Sequence, residues 1–353
     1  MNKLKEATIK FPQTEIWNDS CSCSELAYCI DNGGVGATTN PVIVLNVLKK
    51  EIKDWDERIR AVIHENPSAT EDEIAWIVIK LLGAEASKLL YPRFKETNGK
   101  QGRISFQTNA KYYRSKSLMI EHACDLAKVV ENSQIKIPAS QAGIEAFEEL
   151  TYQGISINAT VSFTVSQAIA VAEAVERGLN RRVKEGKSIA TMNPVCTIMI
   201  GRVDDYLKGY VKENKLLVEP EILEWAGVAV VKKAYKIYEQ SNYRTKLLIA
   251  AFRNPYHWHE FIGGKLALTI PYEWQVKYNN SSFEVKSTIN DAVDPMILLK
   301  LKQLTEFNKA YDETGLTETT FASYGAFIKT INGFLNGYDE LVTIIRSYLL
   351  RLE

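Results

Sequence analysis

Apolar residues recur along the chain in two rhythms. Short runs rich in β-branched residues, bounded by Gly, Pro, Asn or Ser, predict strands, and longer stretches with apolar residues three or four apart predict helices. The first short run covers 14–19, and the serines of 20–24 can cap a helix over 25–31. A second run at 35–40 ends at Pro41, which suits the first turn of a helix. Residues 49–90 read as helical and charged, with an acidic helix start at 68–74. Further strands are predicted at 103–108, 135–138, 155–162, 195–200, 246–252 and 266–270. Helices are predicted between them at 115–132, 142–153, 164–177 and 227–240, with a basic turn at 181–187. Residues 295–353 read as helical, with a break near Gly315.

Eight strands alternating with helices predict an α/β chain, a (β/α)8 TIM barrel with additional C-terminal helices. On this reading 1–353 is a single barrel domain, 50–100 is a helical insertion between strands 2 and 3, and 295–353 is a helical tail. A doubly wound fold would need a glycine-rich loop after its first strand, whereas Gly33-Gly34-Val35-Gly36 precedes a strand.

Composition narrows the partners. The 43 basic and 43 acidic residues cancel, so no general field favours nucleic acid or an anionic membrane. A small anionic substrate needs only a local cluster of charge. The opening residues 1–6 are polar, unlike a signal peptide, and no run of about eighteen apolar residues exists. Cys21, Cys23, Cys29, Cys124 and Cys196 lack a stapling or metal-binding spacing and read as reduced thiols, so a cytoplasmic location is expected. The four histidines supply no convincing metal ligand set. The tail has apolar helical spacing, which leaves packing on the barrel or pairing of subunits in a homo-oligomer open.

The chemistry centres on Lys136. It stands between Ile135 and Ile137 in a run that ends at Pro138, so its side chain takes the face opposite the two isoleucines. Alone, such a lysine reads as an edge-strand residue in solvent. The other predicted strands change that. Polar residues stand at their ends: Asp19, Asn40, Ser105 with Gln107, Asn158 with Thr160, Thr197 with Arg202, and Arg253. An ordinary barrel interior is filled with branched apolar side chains. Amide, hydroxyl, carboxylate and amine groups gathered at one end instead suit a polyhydroxylated substrate. A desolvated amine among them is a nucleophile for a carbonyl carbon.

Five segments carry a family resemblance, in order along the chain: Gly36-Ala-Thr-Thr-Asn40-Pro41, Ile135-Lys136-Ile-Pro-Ala-Ser140, Gly154-Ile-Ser-Ile-Asn158-Ala-Thr160 with Gln167-Ala168, Ile200-Gly201-Arg202-Val-Asp-Asp205, and Ala251-Phe-Arg253-Asn254. Together they resemble the transaldolases over nearly all of 14–275. The resemblance implies a class I mechanism that uses no cofactor and no metal. Lys136 would form an imine with a ketose phosphate, and Asp19 would move the proton of the C4 hydroxyl. Gln107 and Thr160 would hold the shuttling water. Asn40 and Asn158 would hold the dihydroxyacetone hydroxyls, and Arg202 and Arg253 the phosphate. The implied activity transfers a dihydroxyacetone unit to an aldose acceptor.

The departures leave rivals open. Transaldolases usually carry glutamate where this chain has Gln107, and glutamine cannot take a proton. The related fructose-6-phosphate aldolases carry glutamine there but tyrosine at the position of Met199, where transaldolases carry phenylalanine. Ala251 and Thr197 replace two serines, so the anion pocket keeps its charges and loses a hydroxyl. A lyase releasing free dihydroxyacetone, or a transferase for a variant sugar such as a sulfonated one, therefore stays open. A non-catalytic sugar-phosphate binder is disfavoured, because a binder needs neither Lys136 nor Asp19.

Overall fold

A computed structural model describes residues 2–350. Its strands are β1 (Thr14–Asn18), β2 (Gly34–Thr38), β3 (Arg103–Gln107), β4 (Ser133–Pro138), β5 (Ile157–Ser162), β6 (Val195–Met199), β7 (Lys246–Ala250) and β8 (Leu266–Ile270). They pair in parallel in sequence order, and β8 closes on β1. The (β/α)8 barrel read from the periodicity is the observed fold, with helices beyond its last strand.

Helices α1 (Lys3–Lys10) and α2 (Cys23–Asp31) flank β1. The connection from β2 to β3 is a helical hairpin, α3 (Pro41–Glu65) and α4 (Glu71–Glu96). Thr70 caps α4 through a reciprocal capping box with Glu73. Next come α5 (Lys116–Ala127), α6 (Gln141–Gln153), α7 (Val165–Lys184), α8 (Ile200–Glu213), α9 (Pro220–Leu223) and α10 (Ala226–Ser241). Then follow α11 (Tyr256–His259), α12 (Tyr272–Asn279), α13 (Pro295–Leu301), α14 (Thr305–Tyr311) and the long α15 (Gly325–Leu349). The last of these packs on α3, α4 and α8. None of the described helices is long and apolar enough to cross a membrane.

Several boundaries differ from the sequence pattern. The segment 181–187 is mostly the last turn of α7 rather than a turn, with Arg181 paired to Glu148 and Glu149 of α6 and Arg182 donating to the carbonyls of Tyr152 and Ser188. The strand predicted to reach residue 200 stops at Met199, and α8 begins at the next residue. Arg202, Asp204 and Asp205 therefore sit on the opening turns of a helix. The first helix, α1, lacks an apolar run and was not predicted. It is held by burial of Leu4 and Ala7 and by the Asn279 side chain accepting from the Leu4 amide.

The apolar core lies mainly between sheet and helices, where Ile16, Ile104, Phe106, Ile135, Ile137, Ile157 and Ile198 are fully buried. The barrel interior is divided. One side is an apolar cluster of Trp17, Val195, Leu248, Ala250 and Ala267. Gly36 sits against it, because a Cβ there would lie 2.6 Å from the Trp17 indole. The other side is polar. The N-terminal end of the barrel is closed by Glu15, which accepts from Lys246 and Trp17, and by Arg103, which donates to the carbonyls of Gly99, Ser133 and Thr191.

Candidate active site

Register sets the site. Gln107 of β3 pairs with Lys136 of β4, and Lys136 pairs with Asn158 of β5. In a parallel sheet, paired residues share a face, so the three side chains stand side by side on the barrel interior. Lys136 is only 2% exposed. Among the described residues, no carboxylate comes within ion-pairing distance of it. Burial lowers its pKa from the ordinary lysine value, and the charge of Asp19 acts in the opposite direction.

Asp19 follows β1 and its amide donates to the carbonyl of Ile270, which ties it to the end of β8. Its carboxylate accepts a hydrogen bond of 2.7 Å from Thr38. Burial raises its pKa, while Lys136, Thr38 and the two rim arginines pull it back down. The two groups are thus pushed towards one another on the pH scale, as suits an amine and a carboxylate that both handle protons.

Beneath them runs a hydrogen-bonded polar layer. Thr197 donates to Asn158 Oδ1 at 2.6 Å, and Asn158 Nδ2 donates to Ser105 Oγ at 3.0 Å. Ser105 donates to Gln134 Oε1 at 3.2 Å, and Gln134 Nε2 reaches the carbonyl of Asn193. Each of these four side chains is fully buried. Thr197 therefore sits under Asn158 and orients its amide, rather than lining the rim beside the arginines.

Gln107 Oε1 is buried with no hydrogen-bond partner. A buried orphan acceptor is costly, and beside Lys136 on the polar side of the barrel interior it marks a place for a water or a substrate hydroxyl. Thr160 points its hydroxyl at Met199 Sδ, 3.9 Å away. It keeps the face of Asn158, in register with Pro138, and a bulge follows it. The β5–β6 register shifts between Ala159 and Ser162, and Val161 takes a left-handed φ of 52°. That conformation is strained for a β-branched residue. Gln167 holds it there by donating to the carbonyls of Val161 and Ala139 while accepting from the Phe163 amide.

Asn40 caps α3 through Oδ1, which accepts from the Ile43 amide at 3.0 Å, so its Nδ2 is left for a ligand. The two arginines stand exposed at the rim. Arg253 donates from Nε to Asp205 Oδ2 at 3.0 Å. Among the described residues Arg202 has no ion pair. Its pKa is lowered, first by partial burial and then by the like charge of Arg253. Two guanidinium groups that raise one another's energy are stabilised by an anion between them.

The structure thus brings Lys136, Asp19, Gln107, Asn40, Asn158, Thr160 and Met199 to one end of the barrel, with Arg202 and Arg253 above. Sequence reasoning missed Gln134 and Thr269. Gln134 lies two residues before Lys136, and Thr269 lies within the eighth strand at the position paired with Trp17, so face parity could have found both. It also missed His257, for which no periodic signal exists.

A family model described as transaldolase/fructose-6-phosphate aldolase matches residues 16–327. The chain belongs to that family. Among curated relatives, the transaldolase of Neisseria gonorrhoeae is 29% identical over 233 residues, covering 64% of this chain and 64% of the relative. The transaldolase of Thiobacillus denitrificans is 30% identical over 220 residues, covering 60% of this chain and 59% of the relative. One from Mycobacterium ulcerans is 27% identical over 242 residues, covering 66% and 64%. The chain therefore matches less than two thirds of the length of these relatives. The matched segment includes every strand except the first two residues of β1.

Proposed function

We propose that this chain transfers a dihydroxyacetone unit from a ketose phosphate to an aldose acceptor through an imine on Lys136. The observation that carries the reading is a buried, unpaired lysine held beside a carboxylate whose pKa is raised, beneath two convergent arginines.

The neutral Lys136 amine attacks the C2 carbonyl of the ketose, and the carbinolamine takes up a proton relayed from Asp19 through the bound water and loses water, which leaves a protonated imine and an Asp19 carboxylate. Asp19 takes the proton of the C4 hydroxyl as the C3–C4 bond breaks. The bonding pair flows to the imine nitrogen, the aldose fragment leaves, and an enamine remains. An acceptor aldehyde then forms the new bond at C3 by the same steps reversed. Asn158 and Asn40 hold the hydroxyls of the three-carbon unit, Gln107 and Thr160 hold the water, and Arg202 with Arg253 hold the phosphate. The names of the relatives support the transfer outcome.

A second reading is favoured by one specific feature. Gln107 stands where transaldolases usually carry glutamate and where the related fructose-6-phosphate aldolases carry glutamine, and its amide oxygen can orient a water. In a lyase, the proton that Asp19 took returns through the bound water to C3 of the enamine, water hydrolyses the imine, and free dihydroxyacetone leaves as the Lys136 amine is regenerated. Fructose 6-phosphate with and without erythrose 4-phosphate separates the two, since a lyase turns over without acceptor. Borohydride reduction in the presence of the ketose should add a three-carbon or ketose mass to the chain, and Lys136→Ala should remove the adduct. Adduct formation at the wild-type level in that variant would sink both readings.

A further inference from the structure

Directly under the rim arginines lies a couple that the chemistry above does not use. Asp204 of α8 and His257 of α11 are both fully buried. His257 Nδ1 is 3.0 Å from the backbone nitrogen of Arg253. A backbone amide is an obligatory donor, so Nδ1 carries no proton and the ring proton resides on Nε2. That proton faces Asp204 Oδ2 at 2.8 Å. Asp204 Oδ1 accepts in turn from the Gly227 amide at the start of α10, at 2.8 Å.

The next residue of α8 completes the arrangement. Asp205 accepts from the Arg253 guanidinium itself. Two consecutive carboxylates therefore hold Arg253 twice, its side chain directly and its main chain through His257. The surrounding backbone is tight. Ala251 exits β7 at a left-handed φ of 65°. Gly201, beside Arg202, leaves no room for a side chain, since a Cβ there would lie 2.0 Å from the Ala251 carbonyl oxygen and 2.5 Å from Arg253 Cγ. The loop bearing Arg253 is thus seated on the helical turn bearing Arg202.

A buried carboxylate is not a cheap way to join two segments. Apolar side chains of similar volume stabilise a fold as well or better. What the polar couple adds is direction, because a single acceptor nitrogen fixes one amide and therefore the origin of one side chain. Arg253 Nε is taken by Asp205 and Nη1 by the Phe252 carbonyl, which leaves Nη2 without a partner among the described residues. We propose that Asp204 and His257 form a positioning couple that sets Arg253 so that this Nη2 and Arg202 converge on one anion. This rests on the reading of the two arginines as the anion grip.

Inorganic phosphate titrated calorimetrically into the full chain tests both levels. His257→Leu removes the acceptor. His257→Asn returns an oxygen near the place of Nδ1. The expectation is a dissociation constant raised about tenfold or more in His257→Leu, about 1.4 kcal/mol, and restored to within about threefold of wild type in His257→Asn. Unchanged affinity in a folded His257→Leu protein, checked by thermal melting, overturns the proposal. So does failure of His257→Asn to rescue it, because a merely structural ring would not be replaced by an amide oxygen. If His257→Leu does not fold, Asp204→Asn takes its place, with weakened phosphate binding expected and wild-type binding overturning the idea. The arginine reading is judged separately. If Arg202→Ala and Arg253→Ala leave phosphate binding intact, that reading fails. If they abolish it while His257→Leu does not weaken it, only the couple fails.

Discussion

The hydroxyl of Thr38 donates to the carboxylate of Asp19 across 2.7 Å. Its oxygen also lies 2.6 Å from that of Thr269. A hydroxyl has one proton, so with Thr38 committed to an ionised Asp19 the second contact must be donated by Thr269. Strand β8 therefore helps to hold Asp19 ionised through strand β2. The hydrogen bond lowers a pKa that burial raises. Replacing Thr38 by Val should raise it, because the hydrogen bond to the charged form is lost. The acid limb of the kcat/KM profile should move to higher pH, and an unmoved limb would show that Asp19 does not set it.

The two partners also predict each other's titration. The Asp19 charge opposes the fall in the Lys136 pKa that burial causes. In Asp19→Asn, that support disappears and the lysine pKa should fall further. The pH at which imine trapping is half-maximal should lie below the ordinary lysine value in the wild type and lower still in the variant. A shift upward would contradict the electrostatic account.

Asn158 owes its orientation to Thr197, whose hydroxyl is the one donor to its Oδ1 among the described residues. Thr197→Val conserves volume and leaves that buried carbonyl unsatisfied. The expected cost is about 1–3 kcal/mol in stability, read by urea denaturation. Turnover should fall as well, because the amide is then free to reverse. Ser105→Ala, which removes the partner of Asn158 Nδ2, should act in the same direction.

His122 predicts a dependence of stability on pH. Its Nδ1 accepts from the amide of Asn109, two residues beyond Gln107, and its ring lies 4.4 Å from the Trp76 ring of α4. Burial, followed by the charge of Lys80, lowers its pKa from 6.5 to about 4. The unfolded chain therefore binds a proton that the folded chain refuses between those values. Stability from this group is complete above about pH 6.5 and is lost as pH falls towards 4, by roughly 3 kcal/mol in all. The urea midpoint should fall between pH 7 and pH 5, and His122→Phe should flatten that fall.

The barrel was legible because its cause is local. Each strand announces itself by an apolar face and a breaker, and eight of them separated by helical spacing leave one economical closure. Asp19, Asn40, Gln107, Lys136, Asn158 and Thr160 were legible for the same reason, since strand ends and face parity can be counted along the chain. Helix α1 was not, because two buried side chains and a distant asparagine hold it rather than its own periodicity. Nor was the start of α8, where helix follows strand without a loop.

What only the tertiary structure decided was how the polar residues share their hydrogen bonds. Parity places Thr197 and Asn158 on the interior, but not which of them faces the ligand. A β-bulge at Val161, stapled by Gln167, shifts the β5–β6 register in a way no count of alternating residues foresees. Asp204, Asp205, His257 and Arg253 are up to 53 positions apart, yet they meet because α8 and the segment after β7 leave neighbouring strands at the same end of the barrel. The sequence by itself determined which strands form and which chemical groups their ends carry, since both follow from periodicities of two and three to four residues. Their partners, exposures and pKa shifts arise only on closure, because desolvation and hydrogen bonding depend on distances that the chain order does not contain.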